Sequence, residues 1–101
     1  MSEEQRIVKR IPFVEDITIL SPQKISGQSV DIGAGGIGIE VPVGLQPGTS
    51  VELVILEGHA ITFGTVRWAR PVENGFRLGI MFREEDWNII ELIMALRSQE
   101  G

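Results

Sequence analysis

A chain of 101 residues with 43% hydrophobic side chains can bury one ordinary core, so a single domain is expected. Its formal net charge of −5 opposes binding to long nucleic acids, and the absence of cysteine excludes disulfide frameworks and thiolate metal sites. No apolar run approaches the ~20 residues of a membrane helix and the first residues do not form a signal peptide, so a cytoplasmic protein without membrane insertion is expected.

Residues 1–12 show no periodicity and read as a flexible arm closed by Pro12. Arg6 and Arg10 stand four apart within it. A helix would put both guanidinium groups on one face, and a mobile arm would let both reach one ligand. Arg suits bidentate phosphate binding and flat packing on a base, although a charged, frayed terminus accounts for the same residues. Phe13 to Leu20 is apolar and β-branched enough for a strand, which Ser21-Pro22 ends. Ser26-Gly27 turns the chain into a second strand running to about Gly33.

The stretch Ser29 to Glu40 is the least ordinary part of the chain. Val30 and Ile32 alternate with polar neighbours, as do Ile37 and Ile39 with Gly38 and Glu40. Between them, Gly33, Gly35 and Gly36 surround Ala34. These glycines permit a tight reversal and close approach to the backbone, beside the carboxylate of Asp31. On spacing alone, a glycine-rich hairpin with a β-bulge is the simpler account. Ile37 to Val43, Val51 to Leu56, Ala60 to Ala69 and Phe76 to Phe82 complete six strand-like segments. In the fifth, Ile61, Phe63, Thr65 and Arg67 oppose Thr62, Val66 and Trp68, and Asn74-Gly75 signals a type I′ hairpin before the last. His59, the only histidine, reads as a turn residue.

The period then becomes helical. Glu84, Glu85 and Asp86 suit a helix start, with Asp86 able to cap it, and Trp87, Ile90, Ile93, Met94 and Arg97 follow helical spacing. One helix over about residues 86–98 is expected, packed across a barrel or closing one end. Its apolar breadth leaves Leu92 and Leu96 available to a second partner, including a homodimer. The fold class is therefore mainly β: a six-stranded antiparallel barrel over 13–101 with one C-terminal α-helix.

No nucleophile elbow, P-loop lysine or paired catalytic carboxylates occur, so no enzyme is expected, and a lone histidine leaves no metal site. The glycines lead into a strand rather than the helix of a dinucleotide fingerprint. What remains suits a ligand carrying phosphates and bases. The Arg residues supply cationic planar donors, and Asp31 offers an acceptor for the N1–H and N2–H₂ edge of guanine or a partner that holds an Arg in place. Trp68, with Arg67 and Arg70 nearby, could stack on a base or, equally, anchor the helix from a half-buried position.

Arg6-Ile-Val-Lys-Arg10, followed by Asp31-Ile-Gly-Ala-Gly-Gly36, resembles the paired motifs of the PilZ family of bacterial cyclic di-GMP receptors, Arg-x-x-x-Arg and Asp/Asn-x-Ser-x-x-Gly. The block Val66-Arg-Trp68 and Asn74 to Phe82 looks like the family's last strand pair, so the resemblance spans nearly the whole chain. It implies a PilZ-like barrel that binds cyclic di-GMP as a ligand, without a cofactor. Arg6 and Arg10 would grip phosphates and guanine edges, Asp31, Gly33 and Gly36 would shape the opposite wall, and Trp68 would add a stacking face. Ordering of the arm would pass the signal to an effector protein in motility, pilus function or exopolysaccharide secretion. Gly33 stands where the family usually has Ser, which removes a hydrogen bond worth about 1 kcal/mol. The alternative is a PilZ-like adaptor that binds no nucleotide and acts by protein contacts. A small RNA- or DNA-binding barrel is disfavoured by the charge.

Overall fold

The computed structural model describes residues 10–33, 35–55 and 60–100, except the side chains of Ala60, Ile89 and 96–100. Arg6, His59 and the side chain of Leu96 therefore lie outside the described residues. The strands are β1 (Arg10–Pro12), β2 (Asp16–Ser21), β3 (Ile25–Gly33), β4 (Gly36–Val41), β5 (Ser50–Ile55), β6 (Ala60–Val72) and β7 (Gly75–Phe82). A 3₁₀ turn at Glu84–Asp86 leads into one helix, α1 (Trp87–Glu100).

All pairings are antiparallel. Strands run β3-β2-β5-β6-β7-β4, and β4 returns to pair with β3, closing a six-stranded barrel. The fold is thus the mainly β barrel with a terminal helix that the periodicity predicts. One strand is additional. Residues 10–12, assigned above to the arm, pair as β1 with Asp31–Gly33 on the edge of β3 that β2 covers at Ile25–Gln28.

Ser29 makes that shared edge workable. Its hydroxyl accepts from the Glu15 N–H at 2.9 Å and donates to the Phe13 carbonyl, while Phe13 N–H bonds Val30. Residues Phe13 to Glu15 are thereby held without a ladder, and Phe13 drops into the core. This is why β2 begins at Asp16, three residues later than the composition predicts.

Inward positions are β-branched and aliphatic: Ile17, Ile19, Ile32, Ile37, Ile39, Leu53, Ile55, Val66, Leu78 and Ile80 are essentially inaccessible to water. Each such side chain contributes roughly 1.5–3 kcal/mol on burial, so the barrel interior is the main stabilising element. From α1, Ile90 and Ile93 complete the core with Trp87 and Met94 beside them, and Trp87 Nε1 donates to the Phe82 carbonyl. Leu92 is exposed.

One local expectation is corrected. The β6–β7 loop is Glu73-Asn74, because Val72 already pairs with Gly75, so Gly75 opens the strand rather than filling the turn. The buried carboxylate of Asp86 accepts the Phe63 N–H at 2.9 Å and pairs with Arg83, tying the turn before the helix to β6. Asp86→Ala leaves the Phe63 N–H without its partner and should lower stability by about 1–2 kcal/mol, read as a reduced midpoint in urea unfolding.

Candidate ligand-binding site

The outer faces of β3, β4, β7 and β6 form a continuous four-strand surface whose register brings distant residues into rows. One row reads Asp31, Gly38, Gly79, Trp68, each paired with the next across the sheet. The two central positions carry no side chain. A Cβ on Gly79 would lie 2.3 Å from Trp68 Cε2, and one on Gly38 would lie 2.7 Å from Asp31 Oδ1. The indole and the carboxylate thus lean inward over glycine backbone that no other residue could provide.

A β-bulge places each of the two end residues. Ser29 pairs with Ile39 and Asp31 with Gly38, so Val30 is the extra residue on β3. Val66 pairs with Ile80 and Trp68 with Gly79, so Arg67 is the extra residue on β6. A bulge re-aims the side chains that follow it. Strict alternation puts Trp68 on the same face as buried Val66; the bulge turns it outward, where it is 43% exposed. Trp68 is therefore not the helix anchor. Trp87 has that role.

A cavity of about 590 Å³ lies over this row. Arg10, Arg67, Arg70 and Arg77 line it, and Asp31 is the only carboxylate among the described lining residues. Four guanidinium groups around one acid make the cavity a local attractor of anions on a chain of net negative charge. The Arg70 guanidinium lies over the Trp68 ring, 5.3 Å from its centroid, and Arg67 Nη1 reaches Met81 Sδ at 3.2 Å.

Arg10 and Asp31 meet as a fork: Nη2 to Oδ1 at 2.8 Å and Nε to Oδ2 at 3.3 Å. Strand β1 makes this possible, since its pairing with β3 sets Arg10 opposite Gly33, two residues from Asp31. The hydrogen-bonded guanidinium holds the Asp31 carboxyl below the usual carboxylate range, against partial burial, which raises it. The charge of Arg10, the Gly38 N–H and the charge of Arg77 add to the lowering.

The sequence-derived candidates divide accordingly. Arg10, Asp31, Gly36 and Trp68 line one cavity. Gly33 is buried at the end of β3 opposite Gly36, and the lining resumes at Gly35. Arg6 lies outside the described residues. Gly38, Gly79 and Arg77 belong to the cavity and were not singled out as site residues, because nothing in a linear alternation shows that they share a row with Asp31 and Trp68.

The depressed Asp31 pKa has a direct consequence. Its folded value lies below its unfolded one, so the pair stabilises the fold above the unfolded pKa and loses that effect as pH falls through the folded value. In Arg10→Ala the Asp31 carboxyl should titrate higher, nearer the ordinary range, as followed by carboxyl ¹³C NMR. An unchanged titration would show that the pair does not persist in solution.

A family model described as the PilZ domain matches residues 3–96. A search of curated proteins gives no match. Among solved structures, the chain is similar to the PilZ domain with c-di-GMP of YcgR from Escherichia coli, at TM-score 0.70 and 15% identity, over 95% of this chain and 93% of that one. It is also similar to YcgR in complex with c-di-GMP from Escherichia coli (TM-score 0.69, 16% identity, 95% of this chain and 47% of that one). The Bacillus subtilis inhibitor of motility MotI/DgrA is a further likeness (TM-score 0.72, 21% identity, 95% of this chain and 52% of that one). The chain spans about half the length of these last two proteins. At such identities the likeness establishes the fold.

Proposed function

This chain belongs to the PilZ domain family, and from that premise we propose that it binds cyclic di-GMP over the Asp31–Gly38–Gly79–Trp68 row and passes the signal to a partner protein. The observation that carries the reading is the cavity itself. The glycine pair lets a carboxylate and an indole lie low on the sheet, and four arginines ring the cavity beside them. A guanine ring is flat and can pack against side chains that the missing Cβ atoms of Gly38 and Gly79 allow to lie close to the sheet. Asp31 accepts from the N1–H and N2–H₂ edge, and Trp68 offers a stacking face extended by Arg70. The phosphodiesters are anionic and suit the guanidinium groups.

Arg10 has two tasks in this reading. Before binding it is forked to Asp31, which keeps both side chains aimed at the cavity. On binding it turns its donors to the ligand, joined by Arg6 from the same segment. That segment leads directly into β1, so ligand occupancy alters the surface beside β3 that an effector protein would contact. The protein acts as a receptor and adaptor rather than as a catalyst.

Arg10→Ala should weaken cyclic di-GMP binding by about 1–3 kcal/mol, the range for a charged hydrogen-bonding pair, as measured by isothermal titration. Full affinity in a folded Arg10→Ala protein would remove Arg10 from the site. Gly33→Ser should tighten binding severalfold by restoring a hydroxyl beside the glycine turn. A loss of affinity would mean that the ligand crowds Gly33, and no binding by the parent protein would favour the nucleotide-free adaptor.

A further inference from the structure

Arg77 lies outside the Arg-x-x-x-Arg and Asp31–Gly36 motifs, yet it occupies the most contested position on the outer face. It lies in the row Gln28, Glu40, Arg77, Arg70, which borders the glycine row. On one side it meets Glu40, and on the other it faces Arg70 directly across the β6–β7 ladder. Like charges set opposite one another in a sheet repel, so this row holds two cations against a single carboxylate. An anion arriving in the cavity relieves that imbalance. The charge of Arg77 already reaches the cavity, because it helps to lower the Asp31 pKa.

The geometry of the Glu40 pair differs from that of the Arg10 pair. Arg77 Nη2 and Nε both reach one oxygen, Glu40 Oε2, at 2.5 and 3.1 Å. Two donors converge on a single acceptor, where Arg10 and Asp31 meet fork to fork. A phosphate offers Arg77 two oxygens in the arrangement its donors prefer. The pair is also open to water, with side-chain exposures of 32% for Arg77 and 43% for Glu40, so breaking it costs little. Finally, Arg77 borders both the nucleotide cavity and a second cavity of about 720 Å³ on the side of Gln28, Glu40 and the β6–β7 loop. Glu40 lines only the second. Arg77 therefore stands where the two cavities meet.

We infer that Arg77 is a further ligand-gripping side chain and that Glu40 holds it in reserve, so that an anionic phosphate of the ligand binds by taking Arg77 from Glu40. Glu40 is then a positioning residue that touches no ligand and sets affinity through competition. This rests on the cyclic di-GMP reading, and it adds a cation and its counter-ion that the family motifs do not contain.

The test is a double-mutant cycle in the full chain, with cyclic di-GMP affinity read by isothermal titration at fixed salt. Arg77→Ala should weaken binding about tenfold, as expected for loss of a charge-assisted contact. Glu40→Gln should tighten it about three- to tenfold by releasing Arg77. In the Arg77→Ala background Glu40→Gln should change affinity less than about twofold, because the residue it competes for is gone. Glu40→Gln leaves the β4–β7 ladder intact, so it tests the competition even where Arg77→Ala impairs folding. Parent-like binding by Arg77→Ala, weaker binding by Glu40→Gln, or a Glu40→Gln effect that persists without Arg77 overturns this inference alone. Absence of binding by the parent chain overturns the receptor reading and the inference with it.

Discussion

Gly38 and Gly79 face each other across β4 and β7, and the site depends on the absence of a side chain at that pair. With any other residue at either position, the indole of Trp68 or the carboxylate of Asp31 would be pushed off the surface. The barrel makes this bareness affordable in stability terms, because the inward residues of the same strands, Ile37, Ile39, Leu78 and Ile80, are fully engaged in the core. Glycine weakens a strand by entropy and missing packing, and here the opposite face of each strand offsets that loss.

The two flanks of the glycine pair are built by the same device. Val30 and Arg67 are each one residue more than the ladder needs, and each precedes the side chain that the cavity uses. Bulges cost a ladder hydrogen bond and increase local twist, so their placement on both flanking strands gives the surface its concavity as well as its chemistry. Strand β1 then closes one side by bringing Arg10 to Asp31. The added strand is thus tied to the barrel both by its ladder with β3 and by the Arg10–Asp31 ion pair.

Much of this was legible in the sequence. Alternating β-branched residues gave six strands and a change of period gave the helix, because burial on one face imposes those repeats directly. The reading of Asp31 as a partner that holds an Arg in place is met by Arg10, 2.8 Å away. What alternation hid were the places where it fails. Trp68 counted inward with Val66 until one extra residue turned it out. Gly38 and Gly79 looked like ordinary strand glycines, since only the register between β4 and β7 makes them neighbours. Alternation also hid a partner of Asp86. Its acceptor strength suits a helix start, and one N–H it satisfies belongs to Phe63, 23 residues earlier in the chain.

A guanine nucleotide seated on the row between Asp31 and Trp68 would perturb that row before any other part of the barrel. An amide ¹H–¹⁵N NMR titration with cyclic di-GMP tests this placement most directly, since it reports binding and place together. Binding there gives saturable shifts centred on Asp31, Gly38, Gly79 and the Trp68 indole N–H, with β5 unmoved. A folded protein whose spectrum does not change, or whose shifts gather on the face away from this row, would contradict it.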